Sequence, residues 1–311
     1  MYDLLKKLWK FRKSFFLFIT FTFLLFVLRF PLTETLENVF RESQKQMSMD
    51  IEFDKMKLKF LPPGVAFHEI SFNHDKLKES FILDRFLFSM ALGKWLALKK
   101  AWTVKGFKDS SSFLFTFWKQ KRKVEDLEHD YLYIEGGSSF LDFSFLKDLS
   151  PSVKMKGKAS FDFKYEGDIK NLPEAKGILN FKASKIHWLQ SQIETNIGPL
   201  DLPQLKWSQA KAIIRLKEGN IVLESLVLGD SKDRLHLKMR GNGEILYLYN
   251  QFRLGAYDFQ IQLEVDKSLY LSLVDLMLSG TKKELPTKYL YQARITGQGS
   301  GPPNIELLPE F

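Results

Sequence analysis

The chain has 311 residues, 45% of them hydrophobic, with 46 Lys and Arg against 37 Asp and Glu and a formal charge of +9. That length can bury a core unaided, and the absence of cysteine excludes disulfides and thiolate metal sites. Nor does the charge argue for nucleic acid: Lys6, Lys7, Lys10, Arg12 and Lys13 against Asp3 place +4 before residue 14, leaving an ordinary +5 over the rest.

Residues 14–31 read SFFLFITFTFLLFVLRFP. Phe15, Phe16, Leu17, Phe18, Ile19, Phe21, Phe23, Leu24, Leu25, Phe26, Val27 and Leu28 form an uncharged run broken only by Thr20 and Thr22. A crossing helix takes about 20 residues, and the run reaches that by borrowing Leu8, Trp9 and Phe11 upstream and a snorkelling Arg29 with Phe30 downstream. A buried core helix would show polar periodicity, which is missing here. A cleaved signal needs small residues just after the apolar run, yet the first alanine of the chain is Ala66. The segment therefore reads as an uncleaved signal anchor. Its lysine-rich flank places the N-terminus in the cytoplasm and the bulk of the chain outside. In a bacterial envelope that is a single-pass protein of the inner (cytoplasmic) membrane with its body in the periplasm.

The spacing of Leu36, Val39 and Phe40 predicts a connecting helix, capped by Thr33 and running to about Gln46. From Asp50 the period changes to two. Ile51 and Phe53 share one phase and Met56, Leu58 and Phe60 the other, which predicts a bulge at Asp54 and Lys55. LPPGV at 61–65 reads as a turn, with strands at Val65–Phe72, Phe81–Phe88 and Phe113–Trp118. Between them, Ala91, Trp95, Leu98 and Trp102 fall on one stripe and predict a helix over Ala91–Trp102. Farther on, Phe161, Phe163 and Tyr165, then Leu179 and Phe181, then Leu235, Leu237 and Met239 alternate with polar residues. The clearest alternation is Tyr257, Phe259, Ile261, Leu263 and Val265. Turn residues at Glu218-Gly219-Asn220, Gly229-Asp230 and Gly241-Asn242-Gly243 separate these strands. A second helix is predicted at Leu269–Leu278 and a last strand at Tyr289–Ile295.

The fold class is thus mainly β: a transmembrane helix, then an elongated, mostly antiparallel curved sheet or sandwich with a few short helices. The organisation reads as a basic stub and anchor at 1–30, a connecting helix at 31–48, a first β region with a helical insert at 49–150, and a second β region at 151–311. The stretch 81–145 differs in being apolar on both faces of its strands, which demands cover on both sides. Phe86, Phe88, Phe113, Phe115, Phe117, Leu141, Phe143 and Phe145 are the candidate lining of an apolar groove; a filled sandwich core is the plainer alternative. The basic clusters Lys119, Lys121, Arg122, Lys123 and Lys94, Lys99, Lys100, Lys105 read as solvated faces. If they bind anything, anionic lipid headgroups or an acidic partner suit the compartment better than DNA.

Catalytic chemistry is not visible. His68, His74, His129, His187 and His236 are scattered, and His68 and His74 stand roughly 20 Å apart along an extended segment, too far to share a metal. GQGSG runs into Pro302 and Pro303 instead of a helix, so it is no phosphate loop. Ser144 and Lys147 match a Ser-x-x-Lys spacing without its companion motifs. No enzyme, cofactor or metal site is expected.

The order of motifs carries a resemblance. The anchor is followed by FLPPGVAFHEISF, then FLFSMALGKWLALKKAWTVKGF, later LPQLKWSQAKAIIRLKEGNIVLESLVLGD and LHLKMRGNGEI, and finally ARITGQGSGPPNIEL. This pattern, loosely covering residues 1 to about 308, resembles the N protein of type II secretion systems in a divergent form, and through it the AsmA-like envelope proteins. The resemblance implies a structural or assembly component of a type II secretion system, with membrane, phospholipid and other secretion-machinery proteins as partners and no nucleic acid. Its alternative implication is an AsmA-like protein that binds or transfers lipid along an apolar groove. No functional residue transfers with it.

Overall fold

Alternation of apolar and polar residues dictates a sheet with one dry and one wet face, and the computed structural model has one on a large scale. It describes residues 34, 37–38, 41–42, 50–73, 80–124, 127–143, 155–168, 175–189, 191–195, 198–248, 251–269, 282–299, 301 and 303–308. The apolar run 14–31, the predicted helix at 269–278 beyond Leu269, Phe145 and His74 lie outside the described residues. Among the described residues no helix is long and apolar enough to cross a membrane.

The first strands are β1 (Asp50–Glu52), β2 (Lys55–Phe60), β3 (Pro63–Asn73), β4 (Phe81–Met90), β5 (Ala101–Lys108), β6 (Ser111–Val124) and β7 (Leu127–Asp142). There follow β8 (Met155–Gly167), β9 (Lys176–Trp188), β10 (Ser191–Thr195), β11 (Gly198–Leu202), β12 (Leu205–Lys217) and β13 (Asn220–Leu228). The last are β14 (Leu235–Leu248), β15 (Gln251–Asp266), β16 (Lys282–Glu284), β17 (Lys288–Gln298) and β18 (Asn304–Leu307). All but β10 and β11 belong to one 16-stranded antiparallel sheet, in which nearly every strand pairs with its neighbours in sequence. The β10–β11 hairpin stands outside this sheet, so that β9 pairs with β12. The sheet is open: β1 and β2 share one edge of β3, and β16 and β18 share the outer edge of β17. The sandwich alternative is therefore not what forms. The strands before and after position 150 belong to one sheet, since β7 pairs with β8 from Leu132–Gly167 to Asp142–Lys158.

The predicted bulge at Asp54 and Lys55 is present. It separates β1 from β2, the Asp54 N–H donates to the His68 carbonyl at 3.1 Å, and both Phe53 and Met56 are buried. The turn in LPPGV is tighter than its composition suggests, because Pro63 and Gly64 already belong to β3. Described residues at 34, 37–38 and 41–42 are helical, as the spacing there predicts. The helix predicted over Ala91–Trp102 shrinks to α1 (Leu92–Leu96). Leu98, at φ 58°, leaves the right-handed region and stops the turn, and Trp102 already stands in β5. The stripe that suggested a longer helix is part helix and part strand.

Two cores form. The larger gathers Ile51, Ile70, Leu83, Ile186, Trp207, Val265 and others, from β1 across to β17. The smaller lies under α1 and holds Ala101, Trp118, Tyr131 and Tyr133, with Ala91 packed against them. Here the second greasy face of β5–β7 finds its cover. Trp118 and Tyr133 stack with centroids 5.1 Å apart, and the Lys94 ammonium sits 4.1 Å above the Trp118 ring and 3.0 Å from Glu135. The indole N–H of Trp95 donates to the Ala101 carbonyl at 2.8 Å and ties α1 to β5.

Candidate apolar groove

Directly paired residues of antiparallel neighbours point to the same side of the sheet, so the register can be followed across the molecule. One such line begins Leu58, Val65, Phe88, Val104, Phe115, Gly136, Phe163. It continues Leu179, Ile214, Leu223, Gly241, Phe259, Ile295, Ile305. Every member is apolar or glycine, from one free edge of the sheet to the other. The adjacent line, one residue along and on the opposite face, reads Ser89, Thr103, Thr116, Glu135, Lys164, Ile178, Arg215, Val222, Asn242, Asp258, Thr296. Along these two lines one face is oily and the other mostly polar, and the oily face turns charged at the outer ends of β6 and β7, where Lys119, Lys121 and Lys123 follow Phe117.

The oily face is not uniformly buried. Along β15, Val265 and Leu263 are 3% and 7% exposed, whereas Ile261, Phe259 and Tyr257 on the same face are half-buried. The same change runs along β9, from Ile186 at 1% to Phe181 and Leu179, which are half-buried. Apart from Leu223, every residue of the apolar line above is half-buried. The face is therefore covered near Asp50, where the described strands begin, and stands partly open toward the end where β2 turns into β3. A single-layer sheet excludes water from one face only where something lies over it.

Rings dominate the open part. Phe115 lies 5.9 Å from Phe113, 5.9 Å from Phe161 and 6.4 Å from Phe163, centroid to centroid, and Phe88 stacks on Trp102 at 5.1 Å. Several rings lie across a glycine of the next strand. A Cβ on Gly106 would stand 2.2 Å from the Phe113 ring, and one on Gly297 would stand 2.6 Å from the Tyr257 ring. Aromatic side chains lying flat keep the floor low.

The polar face is held by ion pairs. Arg294 grips Asp258 with two hydrogen bonds of 2.9 and 2.6 Å, which hold the Asp258 carboxyl below its ordinary range and raise the guanidinium. Burial pushes the Tyr133 and Tyr165 phenols up. In the turn between β13 and β14, Asp233 and Asp230 share the one hydroxyl proton of Ser208 on β12, at 2.8 and 3.0 Å, and the N–H groups of Asp230 and Lys232 donate to Asp233 and Asp230. Among the described residues no three His, Asp or Glu side chains are placed to hold a metal ion.

Of the groove residues suggested by sequence, Phe86, Phe88, Phe113, Phe115 and Phe117 are half-buried, while Leu141 and Phe143 are buried in the larger core. The second-half lining (Leu179, Ile214, Phe259 and Ile295) was not singled out by sequence, although the alternation that marks its strands was plain. What was missing was register: only consecutive pairing of the strands brings these positions into line with Phe115. No family model matches the chain, and no curated protein or solved structure matches it.

Proposed function

We propose that this protein holds lipid acyl chains along the apolar face of its sheet, as a membrane-anchored protein of the bacterial cell envelope. A single observation carries the reading: an unbroken row of apolar and glycine residues, half-buried at almost every position, crosses the sheet from Leu58 to Ile305. A surface of this kind in water calls for an apolar occupant. Each methylene that moves onto it from water gains about 0.8 kcal/mol, so an acyl chain binds without any polar recognition. The oily face is buried near Asp50 and partly open toward Leu61, which leaves room for chains at that end. The polar face meets the aqueous space. Residues 15–28 anchor the chain in the inner membrane with the sheet in the periplasm, an arrangement supported by the uncleavable run and its lysine-rich flank. The AsmA-like resemblance agrees with this reading.

The test is photocrosslinking in cells. With p-benzoylphenylalanine placed at Phe115 or Phe163, phospholipid adducts are expected by mass spectrometry. At Lys164, the next residue but on the other face, they are not. Protein adducts alone, or equal lipid labelling at Lys164 and Phe163, would remove the reading.

A second reading, assembly of a type II secretion system, draws on the free edges. β1 and β2 at one side and β16 and β18 at the other leave backbone groups to which a partner's strand could add. Cells without the protein would then export folded proteins poorly while their lipid distribution stayed normal.

A further inference from the structure

The connections β2–β3 and β4–β5 leave the sheet at the same end. Gly64 pairs with Ser89 and Met90 with Trp102, so the turn at Leu61 and the segment 91–100 project beyond adjacent strands, about 5 Å apart per strand. Both expose apolar side chains. Phe60 is 63% exposed, Leu61 87%, Leu92 43%, Leu96 87% and Leu98 95%. Leu98 holds a left-handed backbone, φ 58°, unfavourable for a leucine, while its side chain stands almost wholly in solvent. Among the described residues these side chains belong to neither core.

Cations surround them. Lys57, Lys59 and Lys100 have no carboxylate partner among the described residues, and Lys99 faces the Trp118 ring at 5.7 Å. From Lys55 to His68 and from Arg85 to Lys108 the sequence has no Asp or Glu at all. An apolar projection ringed by unmatched lysines has the chemistry of a bilayer interface: leucine and phenylalanine enter the headgroup layer while ammonium groups meet phosphates. Asp50 lies at the far end of the sheet, since it pairs with Asn73 and β3 spans about 33 Å from there to Pro63.

We propose that this end, formed by Phe60, Leu61, Leu92, Leu96 and Leu98 with Lys57, Lys59, Lys99 and Lys100, docks on the surface of an anionic phospholipid bilayer. Docking there turns the open part of the apolar face toward a membrane, at the end of the sheet away from Asp50. It does not depend on whether that face carries lipid.

The chain has no cysteine, so single-cysteine probes each report one place. Full-length protein in phosphatidylcholine nanodiscs carries a polarity-sensitive fluorophore at Leu61→Cys or, at the opposite end of the sheet, at Ser110→Cys. Vesicles of phosphatidylcholine with increasing phosphatidylglycerol are then added. The Leu61 probe is expected to shift blue with rising phosphatidylglycerol and to revert in high salt, while the Ser110 probe stays unchanged. Lys99→Gln with Lys100→Gln should weaken vesicle affinity about fivefold per charge. Leu96→Ser with Leu98→Ser should weaken it at least about tenfold. Circular dichroism should not change for either pair, because Leu96 ends α1 with its side chain in solvent and Leu98, Lys99 and Lys100 follow it outside any helix or strand. No shift at Leu61 with any vesicle overturns the proposal in favour of an acidic protein surface, and an equal shift at Ser110 overturns it in favour of unspecific adsorption. Lipid adducts at Phe163 are a separate readout, so failure of docking and failure of lipid holding are told apart.

Discussion

Leu263 and Phe259 stand on one strand and one face, yet they do different work. Leu263 is 7% exposed and belongs to the larger core, whereas Phe259 is half-buried on the open part of the face. Truncating a buried leucine removes its transfer energy and leaves a cavity, at a cost of about 2–5 kcal/mol. Truncating Phe259 removes more atoms, but part of its ring is already wet and no closed cavity remains. Its cost is roughly 1–2 kcal/mol. Urea unfolding should therefore show Leu263→Ala as the more damaging change, although the deleted side chain is smaller. The reverse order would mean that the open part of the face is a packed core, and the groove would lose its basis.

At the scale of strands, glycine and phenylalanine act as a pair. Gly136 sits where β6 presses closely: an added Cβ would stand 2.1 Å from the Leu114 carbonyl oxygen and 2.6 Å from Phe115 Cα. Backbone cannot yield there, so Gly136→Ala should cost at least about 1–3 kcal/mol, the range of an overpacked core. At Gly106 the obstructing atoms belong to the far end of the Phe113 ring, which can swing upward. Gly106→Ala should leave the melting temperature nearly unchanged and raise a ring into the open face, with reduced lipid adducts at Phe115. If both alanines were equally mild, close strand approach at Gly136 would not be what shapes the sheet. This pairing explains why 29 phenylalanines suit the fold. It also marks the limit of what sequence could reveal. Strands such as Phe161–Tyr165 and Tyr257–Val265 were legible because one face is buried and the other wet, and Phe113, Phe115 and Phe117 stood out by being continuous. The charged outer parts of β6 and β7 were not legible, because Lys119–Lys123 pair with Glu128–Leu132 through backbone bonds and surface ion pairs and give no alternation. Helix α1 was overextended because a stripe of Trp and Leu at helical spacing does not show where Leu98 turns left-handed.

For the molecule as a whole, an open sheet built by consecutive pairing keeps two edges, and an exposed edge invites the strand of another copy. Both edges here are cut short. On one side β1 and β2 divide the border at the Asp54 bulge, and Lys55, Lys57 and Lys59 alternate along β2. On the other, β16 is three exposed residues, Lys282, Lys283 and Glu284, with the Lys282 ammonium 4.0 Å above the Tyr289 ring. Placing a second copy's β16 against this one would bring like-charged ammonium groups together, which disfavours self-pairing, whereas an acidic strand of another protein meets no such obstacle. Lys282→Val with Lys283→Val removes that obstacle and supplies β-forming side chains. Sedimentation velocity should then reveal concentration-dependent association that the parent chain lacks. Lys238→Val, on β14 between two paired neighbours, should not associate, because a central strand has no free backbone to offer. Association of neither variant would mean that charge is not what guards the edge. In that case the shortness of β16 alone would have to suffice, and lengthening it by an alternating segment would be the change that makes the sheet grow.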